Sequence, residues 1–370
     1  MSEIFHCHHK ILYVPCKFYS MAVIVNTALL SFGMSGKVFH APFLAADKRF
    51  HLYGVWERSK KTAHEEYPGI RSFGQLTDLL TDPAIQLVIV NTPNRTHYEY
   101  TRMALEAGKN VVVEKPFTVT SAEGVELDQL AKQRNLLLSV YHNRRFDSDY
   151  QTVKKIIESG SLGELVEAEF HFDRYKEELS AKTHKETAQQ GTGSVYDLGS
   201  HLIDQALHLF GMPQAVFADV RIIRKHSQVD DYFELLLYYE KLRVRLHCSY
   251  LAREPLPAFS VHGHLGSFIK QRADPQEAAL QAGRKPGTTG WGREPDGYEG
   301  LLVTEENAVE IRKHIPTETG NYGLFYAGMA NALLQQAPVP VTASDAINVI
   351  RVIEAAFASV KEQKLKFVSS

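Results

Sequence analysis

Val23-Ile24-Val25-Asn26-Thr27-Ala28-Leu29-Leu30-Ser31-Phe32-Gly33-Met34-Ser35-Gly36 decides how this chain is read. Its two apolar runs, Val23 to Val25 and Ala28 to Leu30, predict a buried strand, and Ser31 to Gly36 a turn-rich exit. A helical stretch follows with Val38, Phe39 and Phe43, where Pro42 either kinks it or closes its first turn. Phe50 to Trp56 reads as a second strand, closed by Glu57-Arg58-Ser59. Strand, glycine turn, helix and strand in this order place backbone amides at a helix N-terminus, where a phosphate is stabilised. The dinucleotide fingerprint asks for G-x-G-x-x-G there; Ser31 replaces its first glycine and leaves Gly33 and Gly36. Alone the turn is a weak signal. Its place after the first strand, with an acidic strand end about twenty residues on, makes Phe32, Gly33, Met34, Ser35 and Gly36 candidates for holding a pyrophosphate.

That acidic residue is Glu57. A carboxylate here accepts from the adenosine ribose hydroxyls and repels a 2′-phosphate. Arg58, Ser59 and Lys60 follow at once, and an Arg or Lys there stacks on adenine or holds that same phosphate. The two signals conflict, and the balance favours NAD over NADP. For Lys60 plain surface solvation explains as much.

The alternation continues. Leu76, Leu79 and Leu80 mark a short helix before Asp82-Pro83, and Leu87 to Val90 is a continuous apolar strand, as expected when both sheet faces are covered. It opens into Thr92-Pro93-Asn94, and the next helix runs to Gly108, a C-cap glycine. Asn110 to Val113 is a strand ending at Glu114-Lys115-Pro116. A helix over 121–134 and the strand Leu136 to Val140 complete a doubly wound parallel α/β sheet. Ligands bind at the C-terminal ends of such strands, which adds Thr92, Pro93, Asn94, His97, Glu114 and Lys115 to the cofactor candidates. His97 by itself reads as a satisfied helix-start histidine without a catalytic role.

After Tyr141 the rhythm changes. A helix near 149–158 is followed by Leu165 to Phe172, Ala215 to Ile223, Tyr232 to Tyr239 and Val244 to Tyr250, all rich in β-formers. One strong helix, Ser200 to Phe210, interrupts them, so a second α/β domain with an open, mostly antiparallel sheet is expected. Residues 273–300 read as a long loop with one helical turn. Two helices, 322–334 and 344–363, close the chain, the second with Ser344 as N-cap and Ile347, Ile350, Ile353 and Ala356 buried. The division expected is an extension over 1–21, a nucleotide-binding domain over 22–143 and a substrate-binding and oligomerisation domain over 144–370.

The chain of 370 residues exceeds one ordinary core. Its net charge of −2 gives no global pull toward nucleic acid or a membrane. No apolar run reaches the roughly 18 to 20 residues that span a bilayer. The three cysteines, Cys7, Cys16 and Cys248, build no disulfide framework, so a cytoplasmic protein is expected. His6, Cys7, His8, His9 and Cys16 suggest a metal clip, and Ile11 to Val14 is too short for a signal-peptide core. The simpler expectation is a loosely ordered extension, or a start at Met21.

Lys115 carries the sharpest chemical signal. At a strand end beside Pro116 its ammonium can enter the crevice and stabilise an alkoxide formed as a hydride departs. The second constellation is Gly191-Thr192-Gly193-Ser194-Val195-Tyr196-Asp197-Leu198-Gly199-Ser200-His201-Leu202-Ile203-Asp204. Asp197 and His201, four apart, share one helix face. An imidazole suits removal of a hydroxyl proton near neutrality, and Asp197 can orient it or bind a substrate hydroxyl. A pair at this spacing is often structural, or half of a metal site. No third ligand stands at metal spacing nearby, so no metal is expected. His208 packs. In Tyr141-His142-Asn143-Arg144-Arg145-Phe146, at the junction of the domains, Asn143 and Arg144 are substrate-binding candidates, while Arg145 can hold the domains together. Arg174 and Tyr175 are weaker candidates of the same kind.

Together these residues resemble the glucose–fructose oxidoreductase/inositol dehydrogenase (Gfo/Idh/MocA) family over residues 23–365. Phe32-Gly33-Met34-Ser35-Gly36-Lys37-Val38-Phe39-His40, Ser139 to Arg145 and Tyr196 to Gln205 look like its scyllo-inositol dehydrogenase branch. The resemblance implies a Rossmann domain followed by an open-sheet domain that often forms a dimer or tetramer interface. It also implies Lys115, Asp197 and His201 as the catalytic group with His201 as base, acting on a polyol, cyclitol or sugar. Ser31 and Glu57 depart from the pattern, Glu57 standing where an NADP-using relative would carry a small polar residue. The alternatives are a catalytically silent nucleotide-binding sensor, which would be expected to lose the Lys–Asp–His set, and a reductase of a non-sugar ligand. Asn143, Arg144 and Asp197 favour a hydroxyl-rich ligand over an extended apolar one.

Overall fold

The computed structural model describes residues 24–57, 61–181 and 186–368. Val23, Arg58, Ser59, Lys60 and the histidines and cysteines of the first twenty residues lie outside it. Six parallel strands, β1 (Val25–Leu29), β2 (Phe50–Trp56), β3 (Arg71–Phe73), β4 (Leu87–Val90), β5 (Asn110–Glu114) and β6 (Leu138–Tyr141), pair in the order β3-β2-β1-β4-β5-β6. This is the doubly wound order, with its switch point between β1 and β4. Leu87, Val88, Ile89 and Val90 are all fully buried because helices cover both faces. The crossovers are α1 (Ala41–Ala46), α2 (Ala63–Glu66), α3 (Leu76–Thr81), α4 (His97–Glu106) and α5 (Ser121–Gln133). The last starts with a Thr120–Glu123 capping box.

Residues Gly36–His40 wind as a wide π turn ahead of α1, with Ala41 N bonding Gly36 O, and Pro42 falls in the first turn of the α-helical part. The helical run already starts at Met34, so Pro42 lies inside it, and the wide π turn just before the proline accommodates its missing N–H and its ring. Gly36 is needed for packing: a Cβ would lie 2.3 Å from Ser31 O and 2.9 Å from Asn91 Nδ2.

Among the described residues the second sheet has nine strands. They are β7 (Leu165–His171), β8 (Ala215–Arg221), β9 (Tyr232–Tyr238), β10 (Arg243–Ser249), β11 (Phe259–Gly263), β12 (Gly266–Lys270), β13 (Gly300–Glu306), β14 (Val309–Ile315) and β15 (Lys366–Phe367). Their order is β14-β13-β12-β11-β7-β10-β9-β8-β15. β7 and β10 run parallel, and the other pairings are antiparallel. The strands from β11 onward carry no strong sequence signal. β13 and β14 form an edge hairpin turned by Asn307 (φ 54°) and Ala308 (φ 60°), a left-handed pair without the glycine that usually announces such a turn.

α6 (Ser148–Glu158), α7 (Ser200–Phe210), α8 (Gln276–Gln281), α9 (Gly323–Gln335) and α10 (Ala343–Glu362) complete the chain. α10 is capped two residues earlier than expected: Thr342 Oγ1, not Ser344, accepts from Asp345 N, and Asp345 Oδ2 accepts in turn from Thr342 N. Ile347 belongs to the core of the first sheet, and Ile350, Ile353 and Ala356 to that of the second. α9 also packs against the first sheet. Tyr326 stacks on Phe43 at 6.1 Å, and Phe325 meets Tyr141 edge-on at 4.8 Å.

Arg145 clamps the junction. Its Nε and Nη2 donate to Asp204 at 2.9 and 2.7 Å and its Nη1 to Asp345 at 3.4 Å. Both Arg145 and Asp204 are buried. Removing one partner of such a pair leaves an uncompensated charge in the interior. Arg145→Met is expected to lower unfolding stability by about 3–5 kcal/mol, read from urea denaturation; a loss below 1 kcal/mol would show that the clamp is dispensable.

Candidate active site

The C-terminal ends of β1, β4 and β5 face the turn before α7 across a cavity of about 700 Å³. Ser31, Gly33, Met34, Ser35, Thr92, Pro93, Asn94, His97, Glu114 and Lys115 line it from the first sheet. Asn143, Arg144, Asp197 and His201 line it from the junction and the second domain. These expected site residues from both halves of the chain therefore meet in one place, whereas Phe32, Gly36, Glu57 and Tyr175 are not among the lining residues.

The glycine turn explains its own irregularity. Ser31 Oγ accepts from Gly33 N at 3.1 Å, so the hydroxyl ties the tight bend where the fingerprint has glycine. Ser31 O accepts from Asn91 Nδ2 at 2.8 Å. Phe32 and Gly36 lie behind the turn and do not line the cavity: Phe32 packs edge-on against Tyr67. Glu57 is buried at the end of β2. Its Oε1 accepts from Thr62 N (2.8 Å) and Ala63 N (3.2 Å), and its Oε2 from Ser72 Oγ (2.7 Å).

Glu114 is a strut. Its Oε1 accepts from Ser35 Oγ in the glycine turn and pairs with His40 Nε2 at 3.0 Å, while Oε2 accepts from Lys115 N at 3.1 Å. Burial pushes this carboxyl up, but the His40 and Ser35 hydrogen bonds and the Lys115 charge outweigh it and hold it at about 2. His97 is buried between two carbonyls, Pro116 O at 2.8 Å and Thr92 O at 2.9 Å, and fastens the two crevice loops together.

The peptide between Lys115 and Pro116 is cis. Lys115 Nζ donates to Asp197 Oδ1 and to Asp197 O, both at 2.8 Å. Asp197 sits in a second π turn, Val195–Gly199, that runs straight into α7, and His201 is in the first turn of α7. His201 is buried, and its Nδ1 has no partner among the described residues. Burial, then the Lys115, Arg144 and His142 charges, push its imidazole well below the ordinary histidine range, so it is neutral at pH 7.

Loops position these groups. Asp230 accepts from Ser194 Oγ and Val195 N, each at 2.8 Å, and packs so closely on Gly193 (φ +96°) that a Cβ there would lie 1.9 Å from its Oδ1. Asn94 Nδ2 donates to Gly191 O at 2.9 Å and draws this segment onto the β4 loop. Arg144 is committed to Asp147 (3.1 Å) and Glu277 (2.8 Å), with its guanidinium over Phe172. Tyr175 faces away from the cavity, bonded to Glu177 and Arg253. Its neighbour Arg174 lines the cavity with Phe172, Lys176, Arg224 and Tyr250. These wall residues sit at strand ends and in loops without a motif, and only the strand-end position of Arg174 hinted at them.

The doubly wound sheet with a cavity at its strand ends is the architecture of a dinucleotide-binding domain. Residues 25–142 match the profile described as the NAD-binding Rossmann fold of an oxidoreductase family, and residues 154–367 match its C-terminal alpha/beta domain. The chain belongs to the Gfo/Idh/MocA family. It is 41% identical over 340 residues to scyllo-inositol 2-dehydrogenase (NADP(+)) IolW of Bacillus subtilis, covering 92% of this chain and 95% of the relative. D-glucoside 3-dehydrogenase of Escherichia coli is 28% identical over 208 residues, 55% of this chain and 57% of that one. Among solved structures, the oxidoreductase YvaA of Bacillus subtilis superposes with a TM-score of 0.90 at 40% identity, over 94% of this chain and 99% of that one. An oxidoreductase from Yersinia pestis gives 0.89 at 40% identity, over 95% and 99% of the two chains.

The depressed Glu114 carboxyl has a stability consequence of definite sign. A group whose folded value lies below its unfolded one stabilises the fold above the unfolded value, and that contribution fades as pH falls. Here the window runs from about 4.5 down to about 2. Between pH 6 and pH 3, Glu114→Gln is expected to lose less stability than the parent chain, by on the order of 2 kcal/mol. Parallel acid-denaturation profiles would contradict the strut.

Proposed function

We propose that this chain is an NAD(P)-dependent dehydrogenase that moves a hydride between a secondary alcohol of a cyclitol, polyol or sugar and the nicotinamide. The observation that carries the reading is the Lys115 ammonium, 2.8 Å from Asp197 Oδ1, in one cavity with a neutral, buried His201. The dinucleotide fits the first domain on local grounds. Gly33 and Gly36 keep the turn bare of side chains, and the buried Asn91 Oδ1 and Asn94 Oδ1 beside it have no partner among the described residues. Ser31, Gly33, Met34, Ser35 and Thr92 to Asn94 would hold it, and when bound it would supply the hydride acceptor or donor at nicotinamide C4. The division between the two functional parts falls near 143/144 in this reading.

The chain's own groups do the rest. His201, neutral by burial, takes the proton of the reacting hydroxyl. Lys115 offers a fixed positive charge where alkoxide character develops, which lowers the barrier without reorganisation. Asp197 holds that ammonium in place and offers a carboxylate to a neighbouring hydroxyl. Asn143 and Arg144 complete a polar wall suited to a hydroxyl-rich ring, and the printed substrates of the inositol and glucoside relatives support that class. Retention of the Lys–Asp contact disfavours a silent sensor. The half-buried and exposed outer positions of the second sheet, among them Phe217, Tyr232 and Tyr238, suit pairing with a second copy. Among the described residues no helix is long and apolar enough to cross a membrane.

NAD remains the favoured nucleotide because Glu57 fixes a negative charge at the end of β2, held by Thr62, Ala63 and Ser72. The NADP(+) in the name of the inositol relative is the opposing indication.

Two measurements test this account. Lys115→Ala and His201→Ala should each lower turnover on inositols or aldoses by about 10²-fold or more, with dinucleotide binding retained by fluorescence titration. Near-parental turnover in both would sink the mechanism. Glu57→Ser should move the NAD:NADP ratio of kcat/KM toward NADP by about tenfold; an unmoved ratio would remove Glu57 from nucleotide selection.

A further inference from the structure

On the opposite side of the strand end that lines the cavity, His171 of β7, Asp173 just beyond it and His247 of β10 converge. We propose that they form a metal site, of the class that takes Zn²⁺, behind the cavity wall. β7 and β10 are parallel neighbours with His171 directly opposite His247, so strand register places the two imidazoles side by side, ring centres 5.1 Å apart. His247 Nδ1 lies 2.9 Å from Asp173 Oδ1, and His171 Nδ1 lies 3.2 Å from Asp173 Oδ2. One ligand atom from each residue lies within 4.8 Å of the others. An ion bound tetrahedrally at about 2.1 Å separates its ligands by roughly 3.4 Å, so small side-chain shifts close the site.

The surroundings fit an ion better than a buried polar accident. The side chains of His171 and Asp173 are 5% and 3% exposed, and that of His247 is 19% exposed, which leaves one edge for access and for a water as fourth ligand. Ser249 N fixes the carboxylate at 2.9 Å. Glu169 Oε2 stands 3.4 Å from His171 Nε2, where an outer carboxylate fixes a ligating imidazole's tautomer. Arg245 pairs with Glu169 and with Glu234 and offsets part of the outer negative charge. Two imidazoles and a carboxylate make an N₂O donor set matched to Zn²⁺, which brings no redox chemistry. The ion would pin β7 to β10, and Phe172 and Arg174, alternating with the two ligands along the chain, line the cavity.

The test is Zn²⁺ titration of the full chain against a chromophoric chelator, with Co²⁺ absorption as reporter of geometry. The N-terminal histidines and cysteines are a rival site. The background is therefore the full chain with His6→Ala, Cys7→Ser, His8→Ala, His9→Ala and Cys16→Ser. That background is expected to bind one Zn²⁺ and give a tetrahedral Co²⁺ spectrum. His247→Gln or the near-isosteric Asp173→Asn should each weaken binding by about tenfold or more. Failure of the background chain to bind, or unchanged affinity in a folded Asp173→Asn chain, would overturn the proposal. If both variants fail to fold, anomalous scattering from a Zn²⁺-soaked crystal of the unmutated chain decides it by showing the ion at His171 and His247 or elsewhere.

Discussion

The rest of the cavity depends on the Lys115 ammonium reaching across the chain to Asp197. Its two bonds, both 2.8 Å, join the end of a parallel strand to a turn 82 residues later in the sequence. Their worth is not in stability. With side chains 15% and 38% exposed, such a pair contributes at most about 1 kcal/mol, far less than the burial of either core. What it supplies is placement: a positive charge held at the spot where two independently packed sheets meet, beside an imidazole that burial keeps neutral. The clamp of Arg145 on Asp204 and the strut of Glu114 between Ser35 and His40 fix the frame around it.

Much of this was legible in the sequence because the signals were local. The strand–turn–helix order of the first 140 residues follows from apolar runs and turn residues, and the structure places them in the doubly wound order. Gly36 could be picked out as a fingerprint glycine, and the fold shows a physical need for it, since a Cβ there would lie 2.3 Å from Ser31 O. Lys115, Asp197 and His201 were visible as a strand-end lysine and a helical i,i+4 pair, although Asp197 lies in a widened turn rather than a regular helix.

What escaped has physical causes. β13 and β14 belong to an edge hairpin whose left-handed pair is Asn307-Ala308, so no glycine turn marks it, whereas β11 and β12 are only five residues each and their alternation and flanking Gly263 and Gly266 are too brief to stand out. The α10 cap was misplaced because Thr342 and Ser344 are both plausible cap residues, and only the reciprocal bond of Asp345 separates them. Tyr175 and Arg174 are indistinguishable in sequence, yet alternation along an extended segment sends Arg174 to the cavity and Tyr175 away from it. The convergence of His171, Asp173 and His247 depends on a parallel register between strands 76 residues apart, which no local pattern encodes.

In the proposed function the hydride passes from the substrate carbon to the nicotinamide, with His201 taking the hydroxyl proton and Lys115, held by Asp197, stabilising the alkoxide. The most direct test is a single turnover with scyllo-inositol, other inositols or an aldose deuterated at the reacting carbon, in the presence of NAD or NADP. The account predicts that deuterium arrives at nicotinamide C4 with a primary isotope effect on the chemical step. A chain that binds the dinucleotide tightly, yet leaves it oxidised with every polyol and sugar offered, would contradict it.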